Sequence, residues 1–201
     1  MTQQQYIERN LKGFEGDSFI KKRIEYLCDK FNIDTVIETG TYLGGTTKVL
    51  SEMFRWVFTL ELNHEYFKKS GEYLKGIENI SRLNLDSGVY LTELLSQMKP
   101  DLQEGETLLF FLDAHWEKSC PLLSELKAIA DNGIKPAIVI HDWKVPNRPE
   151  LGFDSYNGQD FTFDWIQHHI DAIYGLDKYA YHYNDKAEGA MRGVIYIYPC
   201  D

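Results

Sequence analysis

Five acidic residues each close a short segment that reads as a strand. They are Glu38 after Thr-Val-Ile, Glu61 after Trp-Val-Phe-Thr-Leu, Asp86 after Ile80–Leu85, Asp113 after Leu-Leu-Phe-Phe-Leu, and Asp142 after Ala-Ile-Val-Ile-His. A carboxylate can accept hydroxyl hydrogen bonds, offset a cation or ligate a metal. Two histidines accompany these acids, His115 two residues after Asp113 and His141 immediately before Asp142. An imidazole titrates near neutral pH and can take a hydroxyl proton. One acid at a strand end is often only a solvated or capping group; five in succession ask for a common reason.

The turn after the first run reads Glu38-Thr39-Gly40-Thr41-Tyr42-Leu43-Gly44-Gly45-Thr46-Thr47. A dinucleotide site would carry G-x-G-x-x-G, whose middle glycine lets the backbone approach a pyrophosphate. Tyr42 stands at that place, and the Glu38 carboxylate would repel phosphate. A phosphate-binding loop fails too, because Thr46-Thr47-Lys48 misplaces the lysine. An acid such as Glu61 at the second strand end suits a ribose diol, as in adenosine ligands. Asp86 and Ser87 could face an adenine amino group. A nucleoside with a cationic, phosphate-free tail is S-adenosylmethionine. The expected contacts are Glu38, Gly40, Tyr42 and Gly44 for the tail and Glu61 for the ribose, with Thr41, Thr46, Leu62 and Asn63 also at the cofactor. Asp86 and Ser87 belong to the base, and Asp113 and His115 to the methyl-bearing end. His115 is the expected base, with Asp113 and Asp142 beside it. The alternative is a side chain that merely packs at the sheet edge.

These residues need elements to position them. Asp17 or Ser18 can cap a helix whose apolar face is Ile20, Ile24, Leu27, Cys28 and Phe31. Residues 1–33 thus form an N-terminal helical segment. Thr46 or Thr47 is the expected cap of the next helix, with Val49, Leu50, Met53 and Phe54 inward. Residues 56–61 and 79–86 read as the second and third strands. A helix carrying Val89, Leu94 and Leu95 follows. Thr107–Asp113 is apolar without alternation, as in a strand covered on both faces. Ser119 and Pro121 open a helix with Leu122, Leu123, Leu126 and Ile129 inward, and Pro136–Asp142 is a fifth buried strand. A long loop spans 144–160, a helix about 163–174, and a hairpin joins 179–183 to 194–198. Strand–helix alternation repeated five times predicts one α/β domain over 1–201. Its fold is a doubly wound, mainly parallel seven-stranded sheet with a C-terminal antiparallel hairpin. Ligands of such sheets bind at the strand C-termini.

Residues 38–47 resemble motif I of class I S-adenosylmethionine-dependent methyltransferases, closest to the small catechol and caffeoyl-CoA type O-methyltransferases with E-x-G-x-x-x-G. Glu61 is similar to their ribose-binding acid and Asp86-Ser87 to their adenine-side pair. Phe111–Lys118 and Ile138–Trp143 resemble their fourth- and fifth-strand motifs. The resemblance covers about 34–143 and implies a Rossmann-like methyltransferase fold and methyl transfer to a hydroxyl of a small molecule or sugar. It also implies a divalent cation such as Mg²⁺ held by Asp113 and Asp142 with an Asn after the second Asp. Trp143 occupies that Asn position and is no oxygen ligand. Adding His115 or His141 would shift the preference toward zinc or a transition metal. Lys118 is a second candidate base, because such enzymes place a lysine nearby. Competing readings are a non-catalytic S-adenosylmethionine-binding or interaction protein, and an NAD-dependent oxidoreductase, which Glu38 and Tyr42 disfavour.

Composition narrows the partners. The chain has 201 residues, 21 Lys+Arg against 31 Asp+Glu, and a net charge of −10. That balance, without a basic block, argues against nucleic acid and anionic membranes. The hydrophobic share of 43% supports a packed core rather than disorder. Cys28, Cys120 and Cys200 form no disulfide framework, Met1–Asn10 lacks an apolar signal, and no run could span a membrane; a cytoplasmic protein is the expectation. A small-molecule acceptor is expected, and a homodimer is allowed. Trp116, Trp143 and Trp165 could wall a substrate pocket, although large aromatics near such sheets are more often core. His168-His169 reads as a surface or core pair, and 144–160 as a substrate-covering loop.

Overall fold

The computed structural model describes residues 2–99, 106–115 and 120–200. The chain opens with helix α1 (Gln3–Asn10), a 3-10 turn (Phe14–Gly16) and helix α2 (Ser18–Phe31). Four strand–helix units and a fifth strand follow: β1 (Thr35–Thr39), α3 (Gly45–Met53), β2 (Trp56–Leu60), α4 (His64–Tyr73), β3 (Ile80–Leu83), α5 (Ser87–Met98), β4 (Leu108–Leu112), α6 (Leu122–Asp131) and β5 (Ala137–His141). The segment after β5 carries two short strands, β6 (Ser155–Tyr156) and β7 (Gln159–Asp160), then α7 (Phe163–Tyr174), β8 (Tyr179–Tyr183) and β9 (Val194–Pro199).

The seven-stranded sheet has the order β3-β2-β1-β4-β5-β9-β8. The first five strands are parallel; β9 runs antiparallel to β5, and β8 to β9. This is the doubly wound sheet with the terminal hairpin that the strand pattern predicts. Both faces are covered, which explains the unbroken apolar runs. On β4, Leu108, Phe110 and Leu112 face a core shared with α5, α6 and α7, whereas Leu109 and Phe111 face α2 and α3. Every other residue therefore buries its side chain on the same face.

Register sets the rim. Thr39 pairs with both Leu60 and Leu112, and Leu112 with Ile140. Gly40, Glu61, Asp113 and His141 thus leave the sheet at one level, where the strand order reverses between β1 and β4. The sequence reading needs three local corrections. Gly44 caps α3 without a side-chain bond, because Thr46 accepts the Phe14 N–H and Thr47 donates to Glu38. Val89 is exposed, and Leu91 turns inward with the expected Leu95. The third strand stops at Leu83, before Asp86 becomes the cap of α5. Residues 144–160 hold a small hairpin, β6–β7, whose Asn157-Gly158 turn has positive φ at both positions. Among the described residues no helix is long and apolar enough to cross a membrane.

Candidate active site

The turn after β1 depends on glycine. Gly40 has φ +87°, and a Cβ there would lie 2.4 Å from the Asp113 carbonyl oxygen. Beneath it, Glu38 is buried, and its Oε2 accepts the hydroxyls of Thr47 (2.5 Å) and Thr59 (2.6 Å). Its Oε1 is buried without a hydrogen-bond partner. Burial pushes this carboxyl up to about 8 against the pull of the two hydroxyls. The Thr41 and Thr59 hydroxyls meet at 2.6 Å. Glu38, Thr41, Gly44 and Thr46 therefore stand behind the cavity wall rather than in it. They build the turn that backs the cavity.

The cavity itself occupies about 330 Å³ at the strand C-termini. Gly40, Tyr42, Glu61, Leu62, Asn63, Asp86, Ser87, Asp113, His115 and Asp142 line it, as the sequence placed them. The buried Glu61 is held by two turns, Oε2 accepting the Tyr42 N–H from the turn after β1 at 2.8 Å and Oε1 the Asn63 N–H at 2.7 Å. Burial raises its pKa, opposed by those two bonds. Asp86 caps α5, and Ser87 donates to the buried Glu125 at 2.6 Å.

On the opposite wall four charged groups converge. His115 is 4% exposed, with Nε2 3.3 Å from Asp142 Oδ2 and 3.6 Å from Asp113 Oδ1. Phe161 packs edge-on against its ring at 4.8 Å, and Tyr156 lies 6.3 Å away. Burial disfavours the imidazolium, but the bond to Asp142 and the charges of Asp113 and Asp142 outweigh it, so the His115 pKa is raised. Burial alone would also raise the pKa of Asp142; His141 and His115 beside it hold it well below the carboxylate range instead. Arg192 donates to both Asp142 and Asp154. That contact straps residues 144–160 to the β8–β9 connection, together with Gly152 N–H to the Met191 carbonyl (2.8 Å) and Gly193 N–H to the Gly152 carbonyl (2.9 Å).

Sequence reasoning missed one whole wall. Tyr6, Asn10 and Glu15 fold back over the cavity from the N-terminal segment, and Tyr66 joins them from α4. Glu15 sits at φ +51° in the 3-10 turn, between Gly13 and Gly16, and pairs with Arg9 at 3.3 Å. Those glycines around a lone acid were the available signal. Arg192 had none, since only the folded hairpin brings it to Asp142. Trp143 is fully buried and Trp165 stacks on Phe161 at 5.3 Å, so both support Phe161 rather than wall the cavity. His168 and His169 lie on α7, away from the cavity. Trp116, Lys118 and Ser119 lie outside the described residues.

The donor sets can be tested against the expected groups. An adenosyl sulfonium fits: the cavity offers a close-approach glycine turn, Glu61 at the end of β2, and no lysine or arginine among its described lining residues. The all-oxygen metal set does not fit, because the third position is the buried indole of Trp143.

No family model matches the chain, and no curated protein matches it in sequence. Solved structures do match its fold. The O-methyltransferase from Bacillus cereus in complex with SAH aligns with a TM-score of 0.59 at 15% identity, over 89% of this chain and 79% of that one. The O-methyltransferase TomG from Streptomyces achromogenes, involved in tomaymycin synthesis and solved with SAM, aligns at 0.57 with 10% identity, over 90% and 79%. The methyltransferase domain of bacterial-CtHen1-CN aligns at 0.57 with 11% identity, over 89% and 96%. The chain has the Rossmann-like methyltransferase fold.

Proposed function

We propose that the protein transfers the methyl group of S-adenosylmethionine to a hydroxyl of a small molecule or sugar. One observation carries the reading: a cavity at the switch point of a methyltransferase fold, with Glu61 at the ribose position and carboxylates in place of cationic phosphate ligands. When bound, the group supplies a methyl carbon activated by a sulfonium. The chain's residues do the rest. Each Glu61 oxygen accepts one backbone N–H and keeps capacity for a ribose hydroxyl. Asp86 and Ser87 border the base. The turn at Gly40 and Tyr42 bounds the tail.

Methyl transfer is an in-line displacement, so alignment contributes most, and a base contributes where the hydroxyl must lose its proton. His115 is placed for that step. Asp142 and Asp113 hold one ring nitrogen and Phe161 fixes the ring plane, so the imidazole meets the acceptor in one orientation. Tyr156 and the Asp154–Arg192 strap place residues 144–160 beside His115, which supports their role as the acceptor-side cover. A small acceptor is favoured by the net charge of −10 and by a cavity with no lysine or arginine among its described lining residues. Calorimetry with S-adenosylhomocysteine and NAD tests the cofactor assignment, and a screen of hydroxylated acceptors for S-adenosylhomocysteine release tests the reaction. Tight S-adenosylhomocysteine binding is the expected result; binding of NAD alone overturns the reading.

A further inference from the structure

We propose that Glu15, His141 and Asp142 bind one divalent cation of the zinc or transition-metal class, with Asp113 at the edge of the site. The site stands independently of the methyl-transfer reading. His141 is 2% exposed, and its Nδ1 is buried with no hydrogen bond. Yet Asp142 Oδ1 lies 3.3 Å and Asp113 Oδ1 3.4 Å from that nitrogen. A proton on that nitrogen faces both carboxylates without a well-formed hydrogen bond, an unusual state for a buried polar atom. A divalent cation in place of the proton would take the nitrogen as ligand and offset both carboxylates together. Spacing agrees. Ligand atoms about 2.0–2.2 Å from a tetrahedral ion stand about 3.4 Å apart, and the ligand atoms of Glu15, His141 and Asp142 all lie within 4.8 Å of one another.

Donor chemistry selects the ion. One imidazole nitrogen with carboxylate oxygens suits zinc, manganese, iron, cobalt or nickel better than Mg²⁺, which prefers oxygen and water. The disagreement over Trp143 then has a chemical sense: the oxygen ligand expected after Asp142 is absent, and a nitrogen ligand stands just before it. A second convergence, Asp113, His115 and Asp142, shares one residue with the first. There the imidazole is already hydrogen-bonded to Asp142 Oδ2, so it orients that carboxylate from outside, as Arg192 does. His115 thereby stays available for a proton.

The test titrates the metal-free full chain with Co²⁺, read by visible absorption, and with Zn²⁺ and Mg²⁺ by calorimetry. One Co²⁺ or Zn²⁺ per chain is expected, with Mg²⁺ much weaker. His141→Ala and Glu15→Gln each weaken binding by at least about tenfold, the loss that even outer-shell partners cause. A His168→Ala/His169→Ala control leaves it unchanged. Glu15→Gln, on the N-terminal turn, keeps the test decisive should His141→Ala not fold. No stoichiometric binding, binding lost with the α7 histidines or with His115→Ala alone, unchanged affinity in Glu15→Gln, or Mg²⁺ as tight as Zn²⁺ would each overturn the site. Calorimetry with S-adenosylhomocysteine on the same samples separates the two readings: it can bind where Co²⁺ does not, and the reverse.

Discussion

Glu38→Gln is expected to reverse its effect on stability between weakly acid and weakly alkaline pH. Burial pushes the Glu38 carboxyl from 4.5 up to about 8, so the folded chain keeps a proton that the unfolded chain releases. Stability must then fall as pH rises through this window, because the native state binds more protons than the unfolded one. Each pH unit costs about 1.4 kcal/mol, or about 5 kcal/mol across the window. Glutamine abolishes that slope. Its amide oxygen can accept the Thr47 and Thr59 hydroxyls, but its NH₂ replaces Oε1, which has no partner. That orphan costs about 1–3 kcal/mol at every pH. The variant should therefore be less stable by about 1 kcal/mol near pH 5 and more stable by about 2–3 kcal/mol near pH 8.5. Urea unfolding at several pH values, followed by circular dichroism, measures the difference. Groups other than Glu38 titrate in both proteins and cancel. Parallel stability curves between about pH 5.5 and 8 would refute the reasoning, because they would mean that Glu38 ionises at its ordinary pKa inside the fold.

Three further outcomes follow from the geometry. Glu61→Gln removes a carboxylate that takes two backbone N–H bonds and is assigned the ribose; calorimetry should show S-adenosylhomocysteine affinity falling by about 10–100-fold, and an unchanged Kd would remove Glu61 from the site. Gly40→Ala drives a Cβ to 2.4 Å from the Asp113 carbonyl at φ +87°, so the thermal midpoint should drop, with a cost above about 1 kcal/mol; a neutral substitution contradicts the close approach. Arg192→Met releases Asp154 from Asp142, so amide exchange should quicken across 144–160 while β4 stays protected; unchanged exchange there would show that Arg192 is not the strap.

The sheet was legible because its residues face the same demand on both sides. An unbroken run such as Leu108–Leu112 has no polar face to offer solvent, and only a covered parallel strand accepts that. Helix α7 was legible for the opposite reason, since Ile166, Ile170 and Ile173 mark one buried stripe. The errors fall where tertiary partners outbid local preference. Threonine is a good helix cap, yet Thr46 and Thr47 were drawn away by the Phe14 N–H and by the Glu38 carboxylate, groups 32 and 9 residues distant.

The candidate site divides along the same line. Gly40, Glu61, Asp113 and Asp142 were readable because strand register alone carries them to one rim. Whether a residue on that turn faces the ligand or the core is decided by side chains on neighbouring strands. Thr59 on β2 bonds Glu38 and closes over Thr41, so both side chains bond within the turn. Glu15 and Arg192 reach the rim from segments outside the strand–helix repeat, one folded back from the N-terminus and one on the last hairpin. Such contributions follow from chain paths that periodicity does not encode. They also change the electrostatics of the rim. Asp142 would be one of several mutually repelling acids, but His141, His115 and Arg192 surround it and keep it ionised. The surplus acids are thus held apart in two groups: Glu61 and Asp86 on the wall assigned to the nucleoside, and Asp113 and Asp142 among cationic partners on the wall assigned to the acceptor. A sulfonium between the walls would meet negative charge on one side and a proton acceptor on the other, the polarity that methyl transfer to a hydroxyl requires.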